Sequence, residues 1–236
     1  MIAIRIALAL LSAAATQPAA AAQHEGAAPA SQDDRDRAEV DRATLLIKAG
    51  KPDEALAVLD LLIAAQEKSR KADPRQTYCA RSIQETILYA GMGAKEKKNT
   101  VVLPQSACYS MFLKGFALID LKRHDEAKVW FERALAMAPS NSQFIGELGE
   151  WYKSRRDWDK AAALYAEAES ASLLSPADSQ VFDKTRALRG RAFVLVERGK
   201  LDEAEKLYRQ CLTLNPDDAR AKQELQYIAE QRGKKI

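Results

Sequence analysis

Residues 145–152, IGELGEWY, and residues 158–168, WDKAAALYAEA, decide the fold. In the first, Ile145, Leu148, Gly149 and Tyr152 recur at three and four positions. In the second, Ala161, Tyr165 and Ala168 do the same. Each string reads as a helix with one apolar face, and the short polar step between them makes a helical hairpin. The same opening of the second helix, a turn residue, acids and then Ala, recurs along the chain. It stands at Pro52-Asp53-Glu54-Ala55, His124-Asp125-Glu126-Ala127, Trp158-Asp159-Lys160-Ala161 and Leu201-Asp202-Glu203-Ala204. Ala127 and Ala161 are 34 positions apart, as are Phe131 and Tyr165, and Ala134 and Ala168. From Ala161 to Ala204 the step is 43, one period plus nine residues inserted around 171–182. From Ala55 to Ala127 it is 72, about two periods.

Residue types follow from the packing. Two helices of a hairpin approach closely only where side chains are small, at Gly115, Gly149, Ala192, Ala127, Ala161 and Ala204. Large rings such as Tyr152, Phe131, Tyr165 and Tyr208 fill the spaces between. Acids in the first turn of each second helix suit the positive end of the helix dipole. Pro139 and Pro216 stop outgoing helices, and Ser175-Pro176-Ala177-Asp178 reads as a helix start. A hairpin with two apolar faces cannot bury both alone, so the copies stack. Composition agrees. The 236 residues are 47% hydrophobic and 29% charged, with few Gly (10) and Pro (8). That is globular, helical composition rather than an all-β one.

These residues resemble the tetratricopeptide repeat, a 34-residue helix–turn–helix unit. The clearest copy is the one quoted. The copy before it has Gly115 and Leu118, then Ala127, Phe131, Ala134 and Pro139. The last has Ala192 and Leu195, then Ala204, Tyr208, Cys211 and Pro216. The first has Ala43 and Leu46, then Ala55 and Leu59, but carries Leu62 where Ala is usual and lacks the final Pro. The resemblance covers about residues 38–216. It implies an all-α fold, a right-handed α-α superhelix of helix hairpins. Residues 217–232, with Leu225, Tyr227 and Ile228, are expected to form the capping helix that a solenoid needs, and 233–236 to fray.

Residues 1–22 read as a signal peptide: Arg5, a short apolar run at 6–15, and Ala20-Ala21-Ala22 as cleavage site. The run is short for a membrane-spanning helix, and no later segment is apolar enough for one. Residues 23–37 are expected to be a disordered leader, and 38–236 the solenoid. The chain is then periplasmic or secreted, from a bacterium on the evidence of its Ala-rich leader, with no integral membrane segment once the signal is removed.

The middle breaks the pattern. Residues 78–90 read as a helix with Ile83, Ile87 and Leu88 on its apolar side, ended by Gly91-Met92-Gly93. Lys95-Glu96-Lys97-Lys98-Asn99 is a solvated charge run, and Thr100-Val101-Val102-Leu103-Pro104 is extended. This predicts a degenerate second repeat whose second helix is replaced by a crossing loop at about 91–104. Cys79 and Cys108 would then lie at the same end of neighbouring first helices. In an oxidising compartment a Cys79–Cys108 disulfide is expected, the alternative being two buried thiols. Cys211 fills a small-residue slot of the core.

Chemistry is sparse. Thirty-six basic and 33 acidic residues give a net charge of +3, so nucleic acid is not an expected partner. Two His and three Cys leave no usual zinc site. No phosphate loop or hydrolase motif is present. His124 sits at a turn, and no metal, cofactor or catalytic residue is expected. Trp130, Trp151 and Trp158 read as packing residues. In the resembled family the first helices line a groove that binds extended peptides. Register places Tyr109, Phe112, Phe116 and Ile119 of one copy there, Gln143, Glu150 and Lys153 of the next, and Arg186, Arg189, Phe193 and Val196 of the last. The family's clamp for acidic peptide tails needs Lys and Asn at positions that here hold Phe112 and Phe116, Gly146 and Glu150, and Arg189 and Phe193. The clamp is absent. What remains is an apolar strip with Arg186 and Arg189 as anion contacts, or a strip covered by neighbouring segments. The resemblance implies a non-enzymatic scaffold for a protein or peptide partner in the periplasm or envelope. The alternatives are self-association as a homodimer and, less favoured, a cell-wall glycan-binding accessory.

Overall fold

A computed structural model of the chain describes residues 31–233. The signal-peptide reading, residues 23–30 of the expected leader and the end at 234–236 lie outside the described residues. Four helix hairpins follow one another: α1 (Gln32–Lys48) with α2 (Pro52–Lys71), α4 (Ser106–Asp120) with α5 (His124–Met137), α6 (Ser142–Ser154) with α7 (Trp158–Ala171), and α8 (Gln180–Glu197) with α9 (Leu201–Leu214). Helix α10 (Ala219–Gly233) closes the stack against α9, as the capping reading expected. Ile228 is buried there, whereas Tyr227 is exposed.

The first helix starts earlier than the sequence suggested. Ser31 and Asp34 form a reciprocal capping box, so residues 32–37 are helix rather than leader. Each hairpin turns in the same way. The residue two beyond the first helix is left-handed: Gly50 (φ 70°), Lys122 (φ 63°), Arg156 (φ 58°) and Gly199 (φ 72°). The next N–H then reaches back to close the helix end, Lys51 to Leu46, Arg123 to Leu118, Asp157 to Tyr152 and Lys200 to Leu195. This is the Schellman closure, repeated four times.

Small residues take the roles assigned to them. Gly115, Gly149, Ala127, Ala161, Ala192 and Ala204 are buried. A Cβ on Gly115 would overlap the Phe131 ring, and one on Gly149 would come within 2.9 Å of the Tyr165 ring. Gly190, which sequence reasoning passed over, meets the Tyr165 ring even more closely. One ring thus spans two hairpins.

The middle is not a degenerate repeat. α2 packs directly on α4, and residues 76–104 form a βαβ insertion. β1 (Gln76–Ala80) and β2 (Thr100–Pro104) pair in parallel, with Cys79 opposite Leu103, and α3 (Ile83–Lys95) connects them. The extended reading of 100–104 holds; the helix over 78–90 and the crossing loop at 91–104 are corrected. Ser82 caps α3 by accepting the Glu85 N–H, which fixes the start at Ile83, five residues late. Gly93 does not end the helix. It lets Thr100 lie against it where any Cβ would collide. The buried stripe of α3 is Glu85, Tyr89 and Gly93, so Ile83, Ile87 and Leu88 face outward. Ser175–Asp178 is not the expected helix start either. It lies in a turn before α8, which begins at Gln180.

The insertion is tied to distant hairpins. Arg81 bonds Glu85 (3.1 Å), Asp183 (2.9 Å) and the Ser175 hydroxyl (3.0 Å), and all three charged side chains are buried. Ser82 donates to the Leu174 carbonyl (2.6 Å), and the Tyr89 hydroxyl accepts the Ser140 N–H (3.1 Å).

Candidate functional site: the inner face

The first helices α1, α4, α6 and α8 share one face, and the residues named from register divide there. Phe112 is fully buried, its ring 4.5 Å from that of Phe144 and 5.7 Å from Phe131. It is core, and the strip is covered at this point by the next hairpin. Tyr109 is half-buried, with its ring 6.2 Å from Phe144; burial raises its pKa. Phe116 and Ile119 are half-buried and remain partly open.

Two clefts lie along this face. The first, of about 370 Å³, has Phe116, Ile119 and Trp151 as apolar walls, with Phe131 beneath and Glu147 and Glu150 on its rim. The second, of about 330 Å³, is bounded by Lys153, Arg186, Arg189, Phe193 and Arg220, with Glu150 and Glu224. Glu150 borders both. A larger space of about 740 Å³ opens where the insertion meets the starts of α4, α6 and α8, beside Arg81, Tyr109, Gln143 and Phe182.

The cations are not free anion contacts. Arg186 pairs with Glu147, Arg189 with Asp218 and Lys153 with Glu150, all within the protein. Burial raises the Glu147 pKa, while Arg186 pulls it down. Tyr165 donates to Glu150 at 2.7 Å, and its own pKa is pushed far up, first by burial and then by the Glu150 charge. The register reading named Arg186 and Arg189 but missed their internal partners, which lie 39 and 29 positions away. Arg220 on α10 lines the second cleft and makes no ion pair among the described residues, and nothing in its sequence setting marks it. Phe193 is half-buried, with Lys153 Nζ 5.0 Å from its ring centre.

Trp130 and Trp151 are half-buried and carry cations on their faces, Lys114 at 3.8 Å and Arg155 at 4.7 Å. His124 is exposed at the start of α5. No group of three His, Cys, Asp or Glu side chains able to hold a metal occurs among the described residues. No helix among them is long and apolar enough to cross a membrane.

Cys79 and Cys108 are free thiols in the structure, not the disulfide expected. They are nonetheless neighbours. Both are buried in one core cluster. Burial pushes the Cys108 pKa well up. Cys211 is core, as read, with its pKa pushed up to about 11 by burial.

Tetratricopeptide-repeat family models match residues 109–141, 145–176 and 185–228, one on each of the last three hairpins. The chain is a tetratricopeptide-repeat protein. Among solved structures it is similar to Pseudomonas aeruginosa pilF, at 13% identity over 86% of this chain and 72% of that one, with a TM-score of 0.57. It is similar to a putative kinesin light chain from Podosopora anserina with TPR-like repeats, at 16% identity over 87% and 90%, with a TM-score of 0.57. It is also similar to MamA RS-1, at 13% identity over 85% and 86%, with a TM-score of 0.53. At these identities the likeness is one of fold. No curated protein matches the chain.

Proposed function

We propose that the protein is a non-enzymatic scaffold that binds an extended segment of a partner protein along the inner face. The carrying observation is the pair of adjoining clefts, one walled by Phe116, Ile119 and Trp151, the other by Phe193 and the basic side chains. The partner seats apolar side chains in the first. In the second its acids engage Arg220 and share Lys153, Arg186 and Arg189 with their internal carboxylates. The N-terminal signal reading supports a periplasmic or envelope location.

The test is affinity capture from the native envelope with three baits: the wild-type protein, Phe116→Glu, and Lys153→Glu in the second cleft. Proteins retained by the wild type and lost by both variants, with helical content unchanged, are the expected result. Identical capture by all three overturns the proposal. A second reading, self-association, is favoured by one observation: Ile83 and Ile87 of α3 are exposed at 76% and 68%. Light scattering that gives a stable dimer, lost in Ile87→Glu, would support it.

A further inference from the structure

Away from the inner face, a groove of about 510 Å³ runs between the C-terminal ends of α2 and α5 and meets β1. Met111 and Met137 give it an apolar base, and Arg70, Lys71, Arg75 and Arg133 surround it, with Glu67 the only acid in its lining. Arg133 is paired with Glu67 and Arg75 with Asp73. Arg70 donates to the Ala107 carbonyl at 3.3 Å, and Lys71 makes no hydrogen bond or ion pair among the described residues; both act on Glu67 only through space. The one acid near these two cations, Glu67, is already ion-paired to Arg133, so positive charge is in excess at this rim.

The strand edge supplies an independent observation. The Gln76 N–H bonds the Asn99 carbonyl, and Gln76 stands opposite Thr100 in a parallel register. Alternate residues of a parallel strand commit both backbone groups to the neighbour. Gln76 and Tyr78 therefore face β2, and the N–H and C=O of Thr77 point away from it. No described group bonds them. Thr77 lines the groove and no β2 residue does, so this is the edge the groove meets. The next outward residue, Cys79, is buried, which confines pairing to a short stretch.

We propose that this groove docks an extended, acidic segment of a partner protein as a short third strand beside β1. Its backbone bonds Thr77, its carboxylates meet Arg70 and Lys71, and one apolar side chain rests on the adaptable Met111 and Met137. Unpaired strand edges are templates for such addition, and the charge of the rim selects the sign of the partner.

A fluorescein-labelled octapeptide of alternating glutamate and leucine, titrated against the full chain, tests this. Saturable binding that weakens with salt is expected. Lys71→Glu alone should weaken it, and with Arg70→Glu the loss should be about tenfold or more. Thr77→Pro deletes a donor that the β1–β2 ladder does not use, so the sheet survives and affinity falls. Phe116→Glu should leave this binding unchanged, which separates it from the inner-face reading. The proposal is overturned by absence of saturable binding, by equal affinity for a lysine–leucine peptide, or by indifference to Lys71→Glu. It is equally overturned if Lys71 instead governs co-sedimentation with phosphatidylglycerol vesicles while the peptide does not bind.

Discussion

Arg81 and Asp183 lie 102 positions apart in the chain and meet at 2.9 Å with both side chains buried. Glu85 completes the group at 3.1 Å. A lone buried ion pair contributes little net stability, but removing one partner strands the rest. Arg81→Met leaves Glu85 and Asp183 buried without their cation and should cost about 3–5 kcal/mol near neutral pH. The pH dependence has a definite sign. Burial raises the Glu85 pKa above its ordinary 4.5, against the pull of Arg81. Without Arg81 it rises further, so the native state binds more protons than the unfolded state above that value, and stability falls as pH rises. Urea unfolding near pH 5 should recover part of what Arg81→Met loses near pH 7; a loss independent of pH would contradict this account.

Lys122 and Arg156 occupy left-handed turn positions that hold Gly50 and Gly199 in the other hairpins. Side chains there are strained, and glycine relieves the strain at some cost in unfolded-state entropy. Lys122→Gly and Arg156→Gly should each stabilise by about 0.5–1 kcal/mol. Thermal melts would show the midpoint rising in both.

Glycines of similar burial should respond in opposite directions. Gly115→Ala and Gly190→Ala force a methyl into the rings of Phe131 and Tyr165 and should destabilise by about 1–3 kcal/mol. Gly146 has only the Arg186 guanidinium near a new Cβ, at 3.8 Å. Gly146→Ala should be neutral or stabilising by up to about 1 kcal/mol through helix propensity. Chemical denaturation of the three variants decides the ranking.

Cys79 of the insertion and Cys108 of α4 are buried in the same core cluster. Both are buried, so oxidation must occur before folding completes. Refolding with oxidised glutathione proceeds through a mixed disulfide and releases two equivalents of reduced glutathione as the two thiols join. Thiol titration in denaturant should then find one free group, Cys211, where reductively refolded protein has three. The closed loop should add about 3–4 kcal/mol of stability. Three free thiols after oxidative refolding would dispose of the pairing.

The hairpins were legible because close helix contacts demand small residues at fixed intervals, and Gly115, Gly149 and Ala161 stand at those intervals. The insertion was not. In α3 the inward stripe is Glu85, Tyr89 and Gly93, while the apolar Ile83 and Ile87 face out, so hydrophobic periodicity pointed to the wrong side. Glu85 is buried because Arg81 compensates it, and Arg81 is held by Asp183, which lies far along the chain. On the inner face, register found Phe116, Ile119 and Phe193. It also named Phe112, which Phe144 covers, and could not show that Arg186 and Arg189 are internally paired. Those are contacts between hairpins, invisible to a reading made one repeat at a time.

Helix stacks of this kind ordinarily flex like a spring, since each coil touches only the coils beside it. Here Arg81, Ser82 and Tyr89 lash a segment that leaves the chain before α4 to the starts of α6 and α8. The spacing of these hairpins is therefore already set, and unravelling that begins at α10 must halt at α8 until the lashing gives way.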